Sequence, residues 1–219
     1  MKYELRTPLN AIVGFSQLLI MDENLTAEQK ENIDDIVQGG AILLTLINEL
    51  LDISRIESGK INLSPGKINL SENISKALLL TQAHAQKKGI AIHNESEECD
   101  CVIIVDELKF KQIMINLILN AIKYNKPQGK IFINCKHSES SCEISIADTG
   151  VGIPEQMLNE IFSEFTRVES DTRGIDGAGI GLFLNKKFVE AMNGTISVTS
   201  TYGEGTIFTV GFPCHTPGH

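Results

Sequence analysis

The chain has 219 residues, of which 42% are hydrophobic and 21% are charged, and this composition is typical of a globular protein. The formal net charge of −9 argues against a nucleic-acid partner, because neutralising phosphates requires clustered lysine and arginine. No apolar stretch is expected to reach the roughly 18–20 residues that span a bilayer. The sequence therefore predicts a soluble, cytoplasmic chain with a substantial core.

The first 60 residues predict an antiparallel pair of helices joined by residues 22–25. Apolar residues recur at alternating spacings of three and four, which is typical of a coiled-coil seam. They are Leu5, Leu9, Ile12 and Leu19 in the first helix, and Ile33, Ile36, Gly40, Leu43, Ile47 and Leu50 in the second. Thr26 and Gln29 predict a capping box at the start of the second helix, and Gly59 predicts its end.

A second apolar row runs beside this seam. It consists of Val37, Leu44 and Leu51. One helical hairpin cannot cover both rows, so the pattern predicts that two chains close a four-helix bundle as a homodimer.

A polar, proline-containing link at residues 62–67 separates the hairpin from a second domain. We place the two domains at residues 1–62 and 63–214. The second domain is predicted to contain helices at 71–88, 106–124 and 182–192, and strands at 90–95, 102–105, 130–137, 142–148, 195–200 and 206–212. Because these elements lack regular βαβ alternation, the fold class is α+β, with one mixed sheet under a helical layer.

The helix 106–124 carries a polar row along one face. Its members are Lys109, Gln112, Asn116, Asn120 and Lys123. Two asparagines one turn apart offer carbonyl oxygens that suit a hydrated magnesium ion. A solvated helix face is the alternative interpretation, and this helix alone leaves both open.

The strand 142–148 alternates so that Asp148 ends an apolar face, where a carboxylate requires a hydrogen-bond donor. An adenine amino group would supply that donor, and Gly150 and Gly152 would let a flat base approach the backbone. Taken alone, Asp148-Thr149-Gly150 is better explained by an Asx-type turn.

A glycine-rich segment, Gly177 to Leu182, opens the last helix, where free backbone N–H groups can bind phosphates. A dinucleotide-binding fold is excluded, because Leu182 stands where that motif requires glycine and the preceding segment is polar rather than a strand. The polar residues 164–176 have the composition of a lid over a nucleotide.

The five cysteines show no zinc-binding spacing and are predicted to be reduced. They are Cys99, Cys101, Cys135, Cys142 and Cys214. Cys135 and Cys142 flank a predicted hairpin loop and could approach each other.

Four segments of the second domain, in this order, resemble the N, G1, F and G2 boxes of the histidine-kinase ATP-binding domain. They are Asn116–Asn120, Asp148–Gly152, Phe162 with Phe165, and Gly177–Gly181. Type II topoisomerases and heat-shock chaperones share that fold. Glu4–Asn10 resembles the phosphoacceptor box, which those relatives lack, so the resemblance covers almost the whole chain.

The resemblance implies that the chain binds ATP and Mg²⁺. Asn120 would bind the magnesium ion with Asn116 beside it, and Asp148 would recognise the adenine amino group. The remaining nucleotide contacts would come from Lys123, Tyr124, Gly150, Gly152, Ile153, Phe165, Gly177, Gly179, Ile180, Gly181, Leu182 and Thr206.

In the helical domain, the resemblance implies that Glu4 helps to activate the phosphoacceptor and that Thr7 orients water when a response regulator is dephosphorylated. The family has histidine at the acceptor position, and this chain has Tyr3. A phenol with a pKa of about 10 is mostly protonated at neutral pH and would form a stable ester, whereas imidazole is a competent nucleophile. We expect a two-component kinase core that has lost autophosphorylation. An ATP-binding pseudokinase that acts as a scaffold is the alternative, and a topoisomerase- or chaperone-type ATPase is disfavoured.

Three explanations of Tyr3 are open: an introduced substitution or tag junction, a natural pseudokinase, or a tyrosine-phosphorylating variant. Because Met1 lies two residues upstream, truncation at a junction is the first expectation. The expected partners are a second copy of the chain, a response regulator receiver domain and an upstream sensor domain. The missing part would also have room for a membrane anchor.

Overall fold

The computed structural model describes residues 2–22, 24–97, 99, 101–138, 140–166 and 179–214, without the side chains of residues 2–5. The chain divides into two compact units, Met1–Lys60 and Ile61–His219. Each unit has its own packing.

The first unit is a helical hairpin of α1 (Lys2–Leu19) and α2 (Ala27–Glu57). The helices are antiparallel, since the Arg6 guanidinium near the start of α1 donates to Asn48 Oδ1 late in α2. The predicted capping box is confirmed, because the Thr26 hydroxyl accepts from Gln29 N at 3.2 Å and Gln29 Oε1 accepts from Thr26 N at 2.9 Å. Gly59 follows α2 with φ of 65°, as a helix end requires.

The hairpin buries only part of its apolar surface. Leu9 of α1 and Ile33 and Ile53 of α2 are buried, and Leu9 lies beside Gly40 of α2. A row spaced by seven residues remains exposed, and it consists of Ile36, Leu43 and Leu50, at 49%, 48% and 50%. The sequence had indicated Val37, Leu44 and Leu51 as the uncovered row, but these are half-buried. Gly40 packs against Val13 and Leu9 of α1, and Val37 and Leu44, three residues before it and four residues after it, share that face.

By length and composition alone, α2 is long and apolar enough to cross a membrane. The expectation that no stretch reaches that threshold was therefore wrong. One such helix near the N-terminus is weak evidence for a membrane span, and only 11% of its apolar window is buried in the hairpin.

The second unit contains three α-helices, one short 3-10 helix at Glu155–Met157 and seven strands among its described residues. The helices are α3 (Leu70–Lys88), α4 (Glu107–Lys123) and α5 (Gly181–Ala191). The strands are β1 (Pro65–Asn69), β2 (Ala91–Asn94), β3 (Val102–Asp106), β4 (Lys130–His137), β5 (Ser141–Asp148), β6 (Thr195–Thr201) and β7 (Gly205–Pro213).

Five strands form a mixed sheet in the order β2-β4-β5-β7-β6, in which only β2 and β4 are parallel. The α+β fold class is thus confirmed. The expectation of one sheet is wrong, because β1 pairs with β3 in a separate antiparallel ribbon. The strand β1 was not predicted, and it overlaps the predicted link at residues 62–67. Pro65 and Gly66 disfavour a strand, and only Ile68 of this strand is buried.

The core lies between the five-stranded sheet and the helices. Cys142, Ile144 and Ile146 of β5 alternate inwards and are buried, as predicted. The opposing face of α4 is fully buried and contributes Phe110, Ile113, Met114, Leu117 and Ile118. Asp106 caps the start of α4 by accepting from Lys109 N at 3.0 Å.

The prediction that the cysteines are reduced is wrong for four of the five. The structure pairs Cys99 with Cys135 and Cys101 with Cys142 as disulfides, with Cα–Cα distances of 5.9 and 6.9 Å, and leaves Cys214 as a free thiol. The suggested approach of Cys135 to Cys142 is wrong. In the β4–β5 register Cys142 lies opposite His137, and both cysteines instead meet the segment that precedes β3.

Candidate functional site

Helix α4 carries the polar row predicted from the sequence. Lys109, Gln112, Asn116, Asn120 and Lys123 are all half-buried, although a solvated face would be exposed. Lys109 lies over the Phe188 ring at 4.1 Å and donates to Gln112 Oε1 at 3.3 Å. The row is therefore covered by neighbouring structure rather than turned to bulk water.

Asp148 ends β5 beside this helix. Burial raises the pKa of its carboxyl group, and backbone N–H groups of Gly150 and Thr206 partly oppose that rise. Gly150 N donates to Asp148 Oδ1 at 2.8 Å, which is the predicted Asx-type turn. The Asx turn and a ligand role coexist, since a carboxylate accepts several hydrogen bonds.

The glycines after Asp148 permit close approaches between backbone segments. A Cβ on Gly150 would lie 2.7 Å from Asp148 Oδ1 and would also collide with the Tyr124 carbonyl. Gly152 adopts φ of 68°, and a Cβ there would collide with the Thr201 carbonyl. Val151 N donates to Tyr124 O at 3.1 Å. These contacts bring the 148–152 loop to the end of α4.

Ser200 is a site residue that the sequence reasoning missed. Its hydroxyl accepts from Ile153 N at 2.8 Å, donates to Gly205 O at 2.7 Å and lies 3.0 Å from Thr206 Oγ1. It thereby joins the loop to the β6–β7 hairpin. No local pattern marks it, because its partners lie in different elements.

Asn125 was missed as well. It is 4% exposed, donates to Lys130 O at 3.0 Å and accepts from the Thr149 hydroxyl at 3.2 Å. It follows the helix-capping Tyr124 and stands two residues before Pro127, and asparagine and proline are turn residues that could have indicated it.

The start of α5 lies against the middle of α4. A Cβ on Gly181 would lie 2.6 Å from Asn116 Nδ2, so only glycine leaves the asparagine amide in place. Gly179 adopts φ of 73°, Ile180 is buried and Leu182 is half-buried. Gly177 and most of the expected lid lie outside the described residues.

Of the two phenylalanines in the predicted F box, Phe162 packs edge-on against Phe208, with ring centroids 6.3 Å apart. Phe165 exposes 59% of its surface and adopts φ of 59°. Lys186 of α5 lies 5.8 Å from the Phe162 ring, which links this segment to the last helix.

Positive groups lie along α4. Lys123 lies 5.1 Å from the Tyr124 ring, and Tyr124 is 37% exposed. Lys88 donates to the carbonyls of Ile122 and Lys123 at 3.0 and 2.6 Å. A cation at a helix C-terminus stabilises that end of the helix.

In the first unit, Tyr3 and Glu4 lie in α1, but their side chains are outside the described part of the chain. Thr7, one turn after Tyr3, is exposed. The unit thus presents an accessible hydroxyl near the candidate acceptor position.

The second unit combines a glycine-lined loop, a half-buried carboxylate and a half-buried polar row of α4, and its class is an α/β sandwich. The family described as "Histidine kinase-, DNA gyrase B-, and HSP90-like ATPase" matches residues 105–216, and "His Kinase A (phospho-acceptor) domain" matches residues 1–59. The chain belongs to the sensor histidine kinases.

Known relatives agree with this assignment. "Autoinducer 2 sensor kinase/phosphatase LuxQ" of Vibrio vulnificus is 37% identical over 97% of this chain, which spans 26% of that protein. The crystal structure of full-length ShkA with AMPPNP superposes with a TM-score of 0.83 at 29% identity, over 100% of this chain and 45% of the other. Histidine kinase ThkA in complex with response regulator TrrA gives 0.68 at 26%, over 97% and 59%.

Proposed function

We propose that the second unit binds ATP with Mg²⁺ and that the whole chain is the core of a two-component kinase. The observation that carries this proposal is that two glycine-bearing segments lie along α4: the loop after Asp148 contacts Tyr124, and the start of α5 contacts Asn116. It is supported by ShkA, whose structure contains AMPPNP.

Each part of the site has a distinct role in this proposal. Asp148 accepts from the adenine amino group, and Gly150, Gly152, Ile153 and Thr206 shape the base pocket. Asn120 provides an amide oxygen for the magnesium ion, with Asn116 beside it. The phosphates lie at the start of α5, where backbone N–H groups are unpaired in a helix. The residues in contact with the nucleotide also include Lys123, Tyr124, Phe165, Gly177, Gly179, Ile180, Gly181 and Leu182.

Magnesium fits the residues that are present. Asn116 and Asn120 are half-buried and lie one helical turn apart, so their oxygens are held rather than dispersed in solvent. Magnesium prefers oxygen ligands and keeps several waters, so one or two amide oxygens with ATP phosphates suffice. The ion would neutralise phosphate charge during phosphoryl transfer.

The acceptor position is Tyr3. A phenol is mostly protonated at neutral pH, so we expect ATP binding without phosphohistidine formation. The alternative function is an ATP-binding scaffold. It is favoured by the same tyrosine, since nucleotide occupancy could still bias the hairpin without phosphotransfer.

The proposed partners are a second copy of the chain and a response regulator receiver domain. The exposed row of Ile36, Leu43 and Leu50 supports the homodimer, and the ThkA–TrrA complex supports the regulator. Thr7 is accessible to orient a hydrolytic water, and LuxQ is named as both kinase and phosphatase. In the full protein, a sensor domain would precede the cytoplasmic core.

We propose domain limits at residues 1–62 and 63–214. The hairpin would provide dimerisation and the acceptor position, and the second domain would provide ATP binding.

Replacing Asp148 by asparagine tests nucleotide binding. The variant Asp148→Asn loses a hydrogen bond to a charged acceptor, so Mg-AMPPNP should bind more weakly by about 1.5–3 kcal/mol, or roughly 10- to 100-fold. Isothermal titration calorimetry measures this change. Glu143→Gln, an exposed carboxylate on the same strand, is the matched control and should bind normally. Equal affinity in both variants would remove the support for this site.

Restoring histidine tests the acceptor position. Tyr3→His should incorporate acid-labile, base-stable phosphate from radioactive ATP, whereas the unaltered chain should incorporate none. Adding Asp148→Asn to Tyr3→His should abolish the label. Acid-labile label on the unaltered chain would contradict the proposed loss of autophosphorylation.

A further inference from the structure

Three sulfur atoms and one imidazole meet at one end of the five-stranded sheet. Cys101 precedes β3, His137 ends β4, Cys142 lies in β5 and Cys214 follows β7. Their ligand atoms all lie within 4.8 Å of one another. Cys214 Sγ lies 2.6 Å from Cys142 Sγ and 3.4 Å from Cys101 Sγ. We name these four residues the thiol cluster.

Strand pairing brings the thiol cluster together. His137 lies directly opposite Cys142 in the β4–β5 register. Cys142 lies opposite Phe212, two residues before Cys214, so the end of β7 reaches the same place. An isolated bridge between Ile103 and Cys214 then positions the residues just before β3. The cluster is a consequence of the sheet register and not of four flexible side chains.

The cluster is separate from the nucleotide site. Cys142 and Asp148 lie on the same face of β5, six residues apart, which corresponds to about 20 Å in an extended strand. The two sites therefore occupy opposite ends of the sheet.

We propose that the thiol cluster binds one zinc ion through Cys101, Cys142, Cys214 and His137. Three cysteines and one histidine are a common ligand set for structural zinc, which is four-coordinate and tetrahedral. With Zn–S bonds of about 2.3 Å, sulfur ligands lie about 3.8 Å apart, a separation that small side-chain rotations reach from the present one. A thiol reductant first supplies the two electrons that convert the Cys101–Cys142 disulfide into two thiols. The three thiols then release their protons to solvent as the zinc–sulfur bonds form, and His137 binds as neutral imidazole.

A disulfide explains the cluster less well. The Cys142 sulfur contacts both Cys101 and Cys214, and a sulfur can form only one disulfide. Zinc, by contrast, uses all three sulfurs together with the imidazole.

The burial of the ligands suits a structural ion. Cys101 and Cys142 are 2% and 0% exposed, whereas His137 is exposed and Cys214 is partly exposed, which leaves an entry path. Four protein ligands leave no open coordination position for a substrate. The ion would connect three chain segments, the start of β3, the β4–β5 hairpin and the end of β7.

Cobalt substitution tests the proposal on the full chain. The reduced, metal-free protein is titrated with Co²⁺, and one equivalent should produce the visible bands and the thiolate charge-transfer absorption of a tetrahedral site. Adding Zn²⁺ should remove these bands and raise the midpoint of thermal unfolding. Elemental analysis should find one zinc per chain.

Matched variants separate the cluster from general thiol binding. Cys214→Ser and His137→Ala, both at accessible positions, should lose the tetrahedral spectrum and the zinc-dependent thermal shift, with unchanged circular dichroism. Cys135→Ser removes a cysteine on the same sheet face that is not a proposed ligand, and it should retain both. The proposal is overturned if Cys214→Ser keeps one tightly bound zinc, if no tetrahedral spectrum forms, or if peptide mapping of the zinc-titrated protein recovers a Cys101–Cys142 disulfide.

Discussion

At the scale of single residues, two aspartates of the second unit show that burial and hydrogen bonding have opposite effects on the pKa of a carboxyl group. Burial raises the pKa of Asp106, but N–H groups of Ser64, Lys109 and Leu108 outweigh that effect, so its pKa is lowered. For Asp148 the order is reversed, and burial dominates over the N–H groups of Gly150 and Thr206. Asp106 is therefore suited to capping a helix, whereas Asp148 retains acceptor capacity for a ligand.

The raised pKa of Asp148 predicts a pH dependence of nucleotide binding. The pKa of Asp148 in the folded protein lies above its ordinary value of 3.8. Its contribution to the free energy of folding is therefore fully present below pH 3.8 and is lost as the pH rises through the folded-state pKa. Adenine requires the ionised form as an acceptor, so acidification should weaken ADP binding by up to about tenfold per pH unit below the folded pKa.

Calorimetric titrations with ADP across the acidic range measure this dependence. Phosphate protonation affects every variant equally, so Asp148→Asn should show a shallower profile than the unaltered chain. Parallel profiles would contradict a role for the Asp148 carboxylate in binding.

At the scale of elements, α2 contains two adjacent glycines with opposite environments. Gly39 is exposed, and a Cβ there would meet nothing within 4 Å. Gly40 is buried, and a Cβ there would collide with Val13 of α1 and lie 3.9 Å from Leu9 Cδ1. The hairpin therefore uses Gly40 for close helix packing, which explains why glycine occupies a seam position.

These glycines give a matched pair of variants. Gly39→Ala should stabilise the hairpin by about 1 kcal/mol, because alanine has the higher helix propensity. Gly40→Ala gains the same propensity but overpacks the interface, which costs about 1–3 kcal/mol. Urea unfolding followed by far-ultraviolet circular dichroism compares the two. Equal shifts for both variants would show that the α1–α2 contact at Gly40 is not tight.

At the scale of the whole molecule, the hairpin leaves apolar surface that a folded monomer would expose to water. Besides the α2 row, α1 exposes Ile12, Phe15 and Leu18 at 52%, 67% and 64%. Contiguous apolar surface of this kind marks an interface. A symmetric dimer would bury it on both chains at once.

Leu43→Glu tests the dimer. Burying a leucine side chain contributes about 1.5–3 kcal/mol to the free energy of association. In a two-fold symmetric dimer the substitution occurs once in each chain, so its effect is doubled and the variant should be monomeric at micromolar concentration. Light scattering should give 24.0 kDa for the variant and twice that mass for the unaltered chain. Leu79→Glu changes a leucine of α3 that is 73% exposed, and it should remain dimeric. A monomeric unaltered chain would refute the proposed assembly.

The amino-acid sequence by itself determined the elements and the ordered motifs. Helix α2 with its capping box, the alternation of β5 and the amide row of α4 depend on local periodicity, and a local pattern is readable without the fold. The tertiary structure decided which of these features meet. Ser200, the ribbon of β1 with β3, the exposed row beginning at Ile36 and the thiol cluster all depend on partners distant in sequence. Their positions are set by strand register and helix packing, which no local spacing encodes.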